Sequence, residues 1–268
     1  MKVDPAELQA LASSLAALGP YLEDVVLVGG WAHRLFHLHP WARPREFAPL
    51  ATNDVDFAVP ARTPPRESTL SSLLAAAGYE ARHKSIHTRP PLVRYQRADG
   101  VMIEFVADLK GSAHDRRGNP KDVLEVAGIT AEQLRFVYPL LVRPWTPTGH
   151  PVLGQVRVAN PVTYLFQKLL VNASRLPPKD ANDLIYIVDT VDVFGDRLDA
   201  LQVEWRALVA AGTFPTAHAK RFHAAAAALS SPGEVHRRAA TIATAIGRPR
   251  SAEELAAVVA LLAAQVFA

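Results

Sequence analysis

Asp54 and Asp56 stand two residues apart in Asp54-Val55-Asp56-Phe57-Ala58-Val59, a run that alternates acid and apolar before turning fully apolar. Such a run reads as a strand, and on a strand residues i and i+2 project to the same face. The two carboxylates therefore sit side by side. Carboxylates that close raise one another's pKa unless a cation lies between them, and a hard divalent ion such as Mg²⁺ takes oxygen ligands of this kind. A solvated strand face is the plainer reading of Asp-x-Asp, so the flanking residues decide. Gly29-Gly30 follows a short apolar run and lets backbone approach a ligand closely, with N–H groups of a following helix turned toward phosphate. Glu104 interrupts Val101-Met102-Ile103-Glu104-Phe105-Val106, where a carboxylate is costly unless paired or metal-bound. Asp108 shares its parity and is the rival third carboxylate. Thr52 lies just before the acids, where its hydroxyl caps the turn or touches phosphate.

The elements that must position these groups follow from periodicity. Asp4-Pro5 opens a helix, with Asp4 as N-cap, and Leu8, Leu11, Leu15 and Leu18 repeat at helical spacing until Gly19-Pro20. Val25 to Val28 reads as a buried strand ended by Gly29-Gly30, and Trp31 to Phe36 as a helix. Residues 37 to 52 are Pro-rich and irregular. Pro64-Pro65 precedes a helix over 66 to 77, closed by Gly78. Three strands follow, Tyr79 to Lys84, Leu92 to Gln96 and Val101 to Val106, with an Asp99-Gly100 turn before the last. Residues 122 to 158 carry short apolar runs broken by prolines. From Asn160-Pro161 helical periodicity dominates. The expected organisation is an α/β (α+β) core with a mixed sheet over residues 1–158, and a mainly helical domain over 159–268 that completes the cleft. The strands at 54–59 and 101–106 should be neighbours, with Glu104 on the face of Asp54 and Asp56.

Strand, Gly-Gly, helix, Asp-x-Asp and a later strand carboxylate together resemble the nucleotidyltransferase superfamily over residues 25 to 108. The resemblance implies that Asp54, Asp56 and Glu104 hold two Mg²⁺ ions that orient an NTP, with Glu104 also a base for the acceptor hydroxyl, and that Gly29, Gly30 and Thr52 border the nucleotide. The second part is similar to AbiEii-like nucleotidyltransferase toxins, with a helix lysine (Lys168), then Arg175, then Lys179-Asp180 and Asp183. That resemblance implies that Lys168 and Lys179 reach nucleotide phosphates and that Asp180 and Asp183 lie at the catalytic cleft. Lys168 sits among Phe166, Leu169 and Leu170, so its ammonium either snorkels or faces that cleft, and Lys168→Met should leave melting near normal. Asp180 and Asp183 read equally as partners of a helix dipole. The implied acceptor is RNA, tRNA among them, or a protein, and a cognate antitoxin is an expected partner. A Gly-Gly-Trp-Ala start is instead similar to aminoglycoside and lincosamide nucleotidyltransferases, which modify small hydroxylated antibiotics. A nucleotide-binding regulatory module without catalysis is the alternative from outside the enzymes.

Composition excludes several other classes. The chain has 268 residues, no cysteine and a formal charge of +3. A disulfide framework, a thiolate zinc site and a cysteine nucleophile are therefore absent, and His37-x-His39 lacks a partner set for zinc. No apolar run reaches the ~18 residues of a spanning helix, and MKVDPAELQ has no apolar core of a signal peptide. A cytoplasmic protein is the simplest expectation. No Walker A or Gly-x-Ser-x-Gly motif occurs. The basic residues Arg43, Arg45, Arg116 and Arg117 read as solvated loops, or as phosphate contacts should the acceptor be RNA.

Overall fold

The computed structural model describes residues 5–44, 49–50, 52–115, 117–148, 153–172, 175–177, 179–214, 216–229, 231–246 and 250–268. Two compact units divide the chain: Met1–Leu35 with Ala48–Asn160, and Phe36–Phe47 with Pro161–Ala268.

The first unit is a mixed sheet with helices. Its strands are β1 (Val26–Val28), β2 (Asp54–Val59), β3 (Tyr79–Ser85), β4 (Leu92–Arg97), β5 (Met102–Asp108), β6 (Val123–Val126) and β7 (Ile129–Leu134). They run in the order β1-β2-β5-β4-β3, and β7 joins β5 to β6. β2 and β5 are parallel and in continuous register from Asp54↔Met102 to Val59↔Ala107. The reason is visible in the alternation. Val55, Phe57 and Val59 on β2 and Ile103, Phe105 and Ala107 on β5 are all buried, with Phe57 stacked on Phe105 at 6.0 Å between ring centroids. A slip of one residue would send this whole set to the other face. The strand after Asp99-Gly100 returns antiparallel to β4, with Gly100 at φ +89°. β4 takes the free edge of β5 at Met102 and Ile103, and β7 takes the same edge from Val106 to Asp108. Glu104 lies where the edge passes from one neighbour to the other.

Helix α1 (Pro5–Ala17) buries Leu11 and Leu15, and the Ser14 and Tyr79 hydroxyls, 2.8 Å apart, tie it to the start of β3. The expected cap Asp4 lies outside the described residues. Helix α2 (Gly29–Leu35) begins directly after β1, so Gly29-Gly30 opens the helix rather than standing between strand and helix. Helix α3 (Leu70–Ala76) starts later than residue 66, because Thr69 supplies the N-cap by accepting the Ser72 N–H.

The second unit is helical: α4 (Pro161–Asn172), α5 (Lys179–Phe194), α6 (Leu198–Ala210), α7 (Thr216–Leu229), α8 (Pro232–Ile246) and α9 (Ala252–Leu261). Its core gathers around Phe166 of α4. That ring lies parallel to Phe222 at 5.4 Å and close to Phe214 at 4.5 Å and Trp205 at 5.2 Å. The segment expected to be irregular after residue 36 belongs here: Phe36 packs edge-on against Tyr164 and Phe194. Among the described residues, no helix is long and apolar enough to cross a membrane.

Candidate functional site

β2 and β5 carry the acids on the face opposite the buried one. Asp54 and Asp56 are half-buried, and Asp56 pairs with Val28 on one side and with Glu104 on the other. Glu104 therefore shares the face of both aspartates. Immediately after Val28 the chain turns at Gly29, whose φ is +63°. A Cβ built on Gly29 would fall 2.1 Å from Asp56 Oδ2, 3.0 Å from its Cγ and 3.2 Å from its Cβ. The Asp56 carboxylate thus lies against bare backbone, and both the dihedral and the space admit only glycine. Gly30 is buried behind it in α2. The Thr52 hydroxyl donates to the Asp54 carbonyl at 3.3 Å, which braces the entry to β2.

Glu104 has a partner that sequence reasoning missed. Lys84 Nζ donates to Glu104 Oε2 at 2.5 Å and to Glu132 Oε2 at 3.0 Å. Lys84 thereby ties β3 to β5 and β7. Burial works against its charge, and the two carboxylates outweigh it, so the ammonium is held above its ordinary pKa. A carboxylate interrupting an apolar strand demands a cation, and that demand was the one signal available for Lys84. Asp108, the rival third carboxylate, is occupied otherwise. Its Oδ1 accepts the Val137 and Tyr138 N–H groups at 3.1 and 2.9 Å, so it caps the turn after β7.

Asp54, Asp56 and Glu104 carry oxygen donors on one face of the sheet, the donor type that a hard divalent cation takes, while the Glu104 carboxylate is engaged by Lys84. Among the described residues, no three His, Asp or Glu side chains are gathered closely enough to hold a metal ion as they stand.

The second unit brings together Lys168, Asp183 and Arg175. Lys168 is buried. Its Nζ donates to Asp183 Oδ1 at 2.5 Å and lies over the rings of Tyr186 at 4.8 Å and Tyr164 at 5.7 Å. Arg175 Nε lies 3.1 Å from the other Asp183 oxygen. The lysine neither snorkels nor stands alone; it is half of a buried ion pair. Asp180 is fully buried. It accepts the Ala181 N–H at 2.8 Å and pairs with Arg237 and, at 3.2 Å, with Arg238. Burial alone would raise its pKa, but Arg237, the Ala181 N–H and Arg238 hold the carboxyl below the usual range. Lys179 is exposed at the first position of α5.

The loop residues divide. Arg43 ties its segment to the end of α5, bonding the Asp192 carbonyl and pairing with Asp196 at 3.2 Å. Arg117 donates its backbone N–H to Asp115 at 2.7 Å. Arg45 and Arg116 lie outside the described residues. His39 accepts the Trp41 N–H at Nδ1, 3.2 Å away, and burial lowers its pKa from 6.5 to about 4.

Comparison with known proteins adds two findings. A family model described as "Nucleotidyltransferase" matches residues 6–210, well over half of the chain. Among solved structures, the chain is similar to an antigenic nucleotidyltransferase-like protein from Paracoccidioides brasiliensis, at 17% identity and a TM-score of 0.40, covering 71% of this chain and 78% of that one. No curated protein matches the sequence.

Proposed function

Because the chain belongs to the nucleotidyltransferase family whose model spans residues 6–210, we propose that its Asp54–Asp56 face transfers a nucleotide from an NTP to an acceptor hydroxyl. The observation that carries this reading is the Asp56 carboxylate lying against Gly29, where a Cβ would sit 2.1 Å from Oδ2. At φ +63° and with no Cβ, Gly29 sets bare backbone beside the acid, and backbone uncovered by a side chain is what can approach a ligand closely.

In the proposed reaction the acceptor oxygen bonds to the α-phosphorus. The bond from that phosphorus to the bridging oxygen breaks, and pyrophosphate leaves with that electron pair. Magnesium held by Asp54, Asp56 and Glu104, as two ions, would supply charge neutralisation at the attacking and leaving oxygens. The chain's own work is positional. β2 and β5 hold the three carboxylates on one face, Glu104 level with Asp56 and Asp54 two residues along β2, Gly29 admits Asp56 against the backbone, and Thr52 steadies the strand that bears both aspartates. Glu104 takes the acceptor proton once Lys84 yields it. Lys168 with Asp183, and Asp180 with Arg237 and Arg238, act by fixing α4 and α5.

The acceptor we propose is macromolecular, an RNA such as tRNA or a protein, with a cognate antitoxin. The arrangement Lys168, Lys179-Asp180, Asp183 supports it through its resemblance to toxin enzymes. Gly29-Gly30-Trp31-Ala32 supports a small hydroxylated antibiotic instead. Incubation with each radiolabelled NTP, magnesium, total RNA and cell protein decides. Label in RNA or protein supports the macromolecular acceptor, and label in an added aminoglycoside or lincosamide alone supports the other. Asp54→Asn and Asp56→Asn should each cost at least ~100-fold in transfer, the scale of losing a group that stabilises developing charge. Metal-independent NTP binding with no transfer to any acceptor refutes the enzyme and leaves a binding module.

A further inference from the structure

We propose that Arg94, assisted by Lys84, binds the phosphate chain of the NTP on the side of the sheet face away from Asp54 and Asp56, a reading that rests on the nucleotidyl transfer proposed above.

Strand register places Arg94. Gln96 of β4 pairs with Met102 of β5 in an antiparallel ladder, so two residues back along β4 corresponds to two residues onward along β5. That puts Arg94 at the level of Glu104, which is itself opposite Asp56. Arg94, Glu104 and Asp56 therefore follow one another across β4, β5 and β2 on the open face. With strands ~4.8 Å apart, the guanidinium strand and the aspartate strand are separated by roughly 10 Å. On its other side Arg94 pairs with Arg82 of β3. Like charges directly opposite are destabilising, and Arg82 turns to Glu80, 2.5 Å away. No such relief is given to Arg94. Its Nε is buried without a hydrogen-bond partner, and among the described residues no carboxylate pairs with it.

A buried guanidinium N–H left without an acceptor costs free energy. A phosphate removes that cost, because the planar fork of arginine matches its oxygens in bidentate fashion. Lys84 stands beside this position, with its side chain 36% exposed and its ammonium on Glu104 and Glu132. A phosphate oxygen arriving at Arg94 offers that ammonium a third anionic partner. The face is thus divided, with carboxylates on β2 and β5 and cations from β3 and β4. A polyanion whose reacting phosphorus must lie by the carboxylates has its remaining phosphates at the cations. The group held by Arg94 is then the pyrophosphate that leaves.

Inorganic triphosphate titrated calorimetrically into the full chain, once in EDTA and once in magnesium chloride, tests this. Arg94→Gln should weaken triphosphate binding by about 10-fold or more, the scale of a lost charge-assisted hydrogen bond. Its melting temperature should be unchanged or higher, since no partner is lost. Arg94→Lys should retain part of the affinity, and Arg97→Gln, whose side chain pairs with Asp99, should retain all of it. Unchanged affinity in Arg94→Gln, or no triphosphate binding by the wild type in either buffer, overturns the proposal. So does tighter binding of a single-stranded oligonucleotide that depends on Arg94, because the guanidinium would then meet backbone phosphates. Arg94-dependent triphosphate binding without transfer to any acceptor would sink the enzyme reading and leave the phosphate site standing.

Discussion

Gly29→Ala isolates the contact on which the site reading rests. The substitution does two things at once. It places a side chain at φ +63°, which costs an L-residue about 1–2 kcal/mol. It also puts a methyl carbon 2.1 Å from Asp56 Oδ2 and 3.0 Å from Cγ. Rotating the carboxylate clears the first contact only by leaving its rotamer well, at about 0.5–1.5 kcal/mol. The Asp56 Cβ at 3.2 Å does not move with that rotation, so β1 and β2 must also part slightly. The total is about 2–3 kcal/mol, or roughly 4–10 °C in Tm for a domain of this size. Gly78→Ala is the reference. Gly78 has φ +82° and nothing within 4 Å of a built Cβ, so it carries the dihedral strain alone. The assay is a double-mutant cycle by urea unfolding. In an Asp56→Ala background the carboxylate contacts are gone while the Cβ contact at 3.2 Å stays, so Gly29→Ala should cost less than in the wild type by a coupling of about 1 kcal/mol and still somewhat more than Gly78→Ala. Transfer activity should fall far more than stability, because the displaced group is the carboxylate itself. Additive stabilities, or full transfer activity in Gly29→Ala, would refute the reasoning.

Three further outcomes follow from the helical unit. Lys168→Met removes one partner of a buried pair, and although Arg175 remains beside Asp183, urea unfolding should show a loss of about 3 kcal/mol; near-normal stability would return Lys168 to the snorkelling reading. Asp180, depressed by its arginines, contributes stability that is present above the ordinary carboxylate pKa and lost as pH falls through the folded value. Asp180→Asn should therefore destabilise the protein at neutral pH and flatten the acid limb of its pH–stability curve. His39 titrates at about 4 instead of 6.5, so the unfolded chain binds its proton first. Stability should drop as pH falls from about 6.5 to about 4, and His39→Asn should remove that part of the slope while keeping an acceptor for the Trp41 N–H.

The sheet face was legible because strand parity is rigid. Asp54, Asp56 and Glu104 have to share a face once β2 and β5 are neighbours, and the burial of Val55, Phe57, Ile103 and Phe105 makes them so. The partner of Glu104 was not legible. Lys84 sits where the β3–β4 ladder shifts register between His83 and Ser85, and alternation gives no account of a bulge. The hidden association of Phe36–Phe47 with the helical unit has a similar cause. Phe36 and His39 belong to no period, and the rings they meet, Tyr164 and Phe194, lie far along the chain. The partner of Lys168 was hidden for another reason. A lysine amid apolar helix residues looks like a cation seeking solvent or ligand, and its carboxylate lies on a different helix.

The buried charges separate into two kinds, and the difference argues for where chemistry belongs. Among the described residues of the helical unit such charges meet their opposites, Lys168 with Asp183 and Asp180 with Arg237 and Arg238, and half-buried Arg250 does the same with Asp192 and Glu254. Pairs of this kind hold a fold in one arrangement, and their disruption is read as stability. The open face of the sheet is built otherwise. Two aspartates stand side by side, one of them against a glycine in the left-handed region, and an arginine is set opposite another arginine with its Nε unsatisfied. Each of these breaks a local rule of sheet stability, and all lie on β2, β3 and β4 or at the residue that follows β1. Local rules broken together in one place are expected at functional sites, which is why the proposed nucleotidyl transfer and the proposed phosphate contact of Arg94 are assigned to this face and not to the ion pairs of the helical unit.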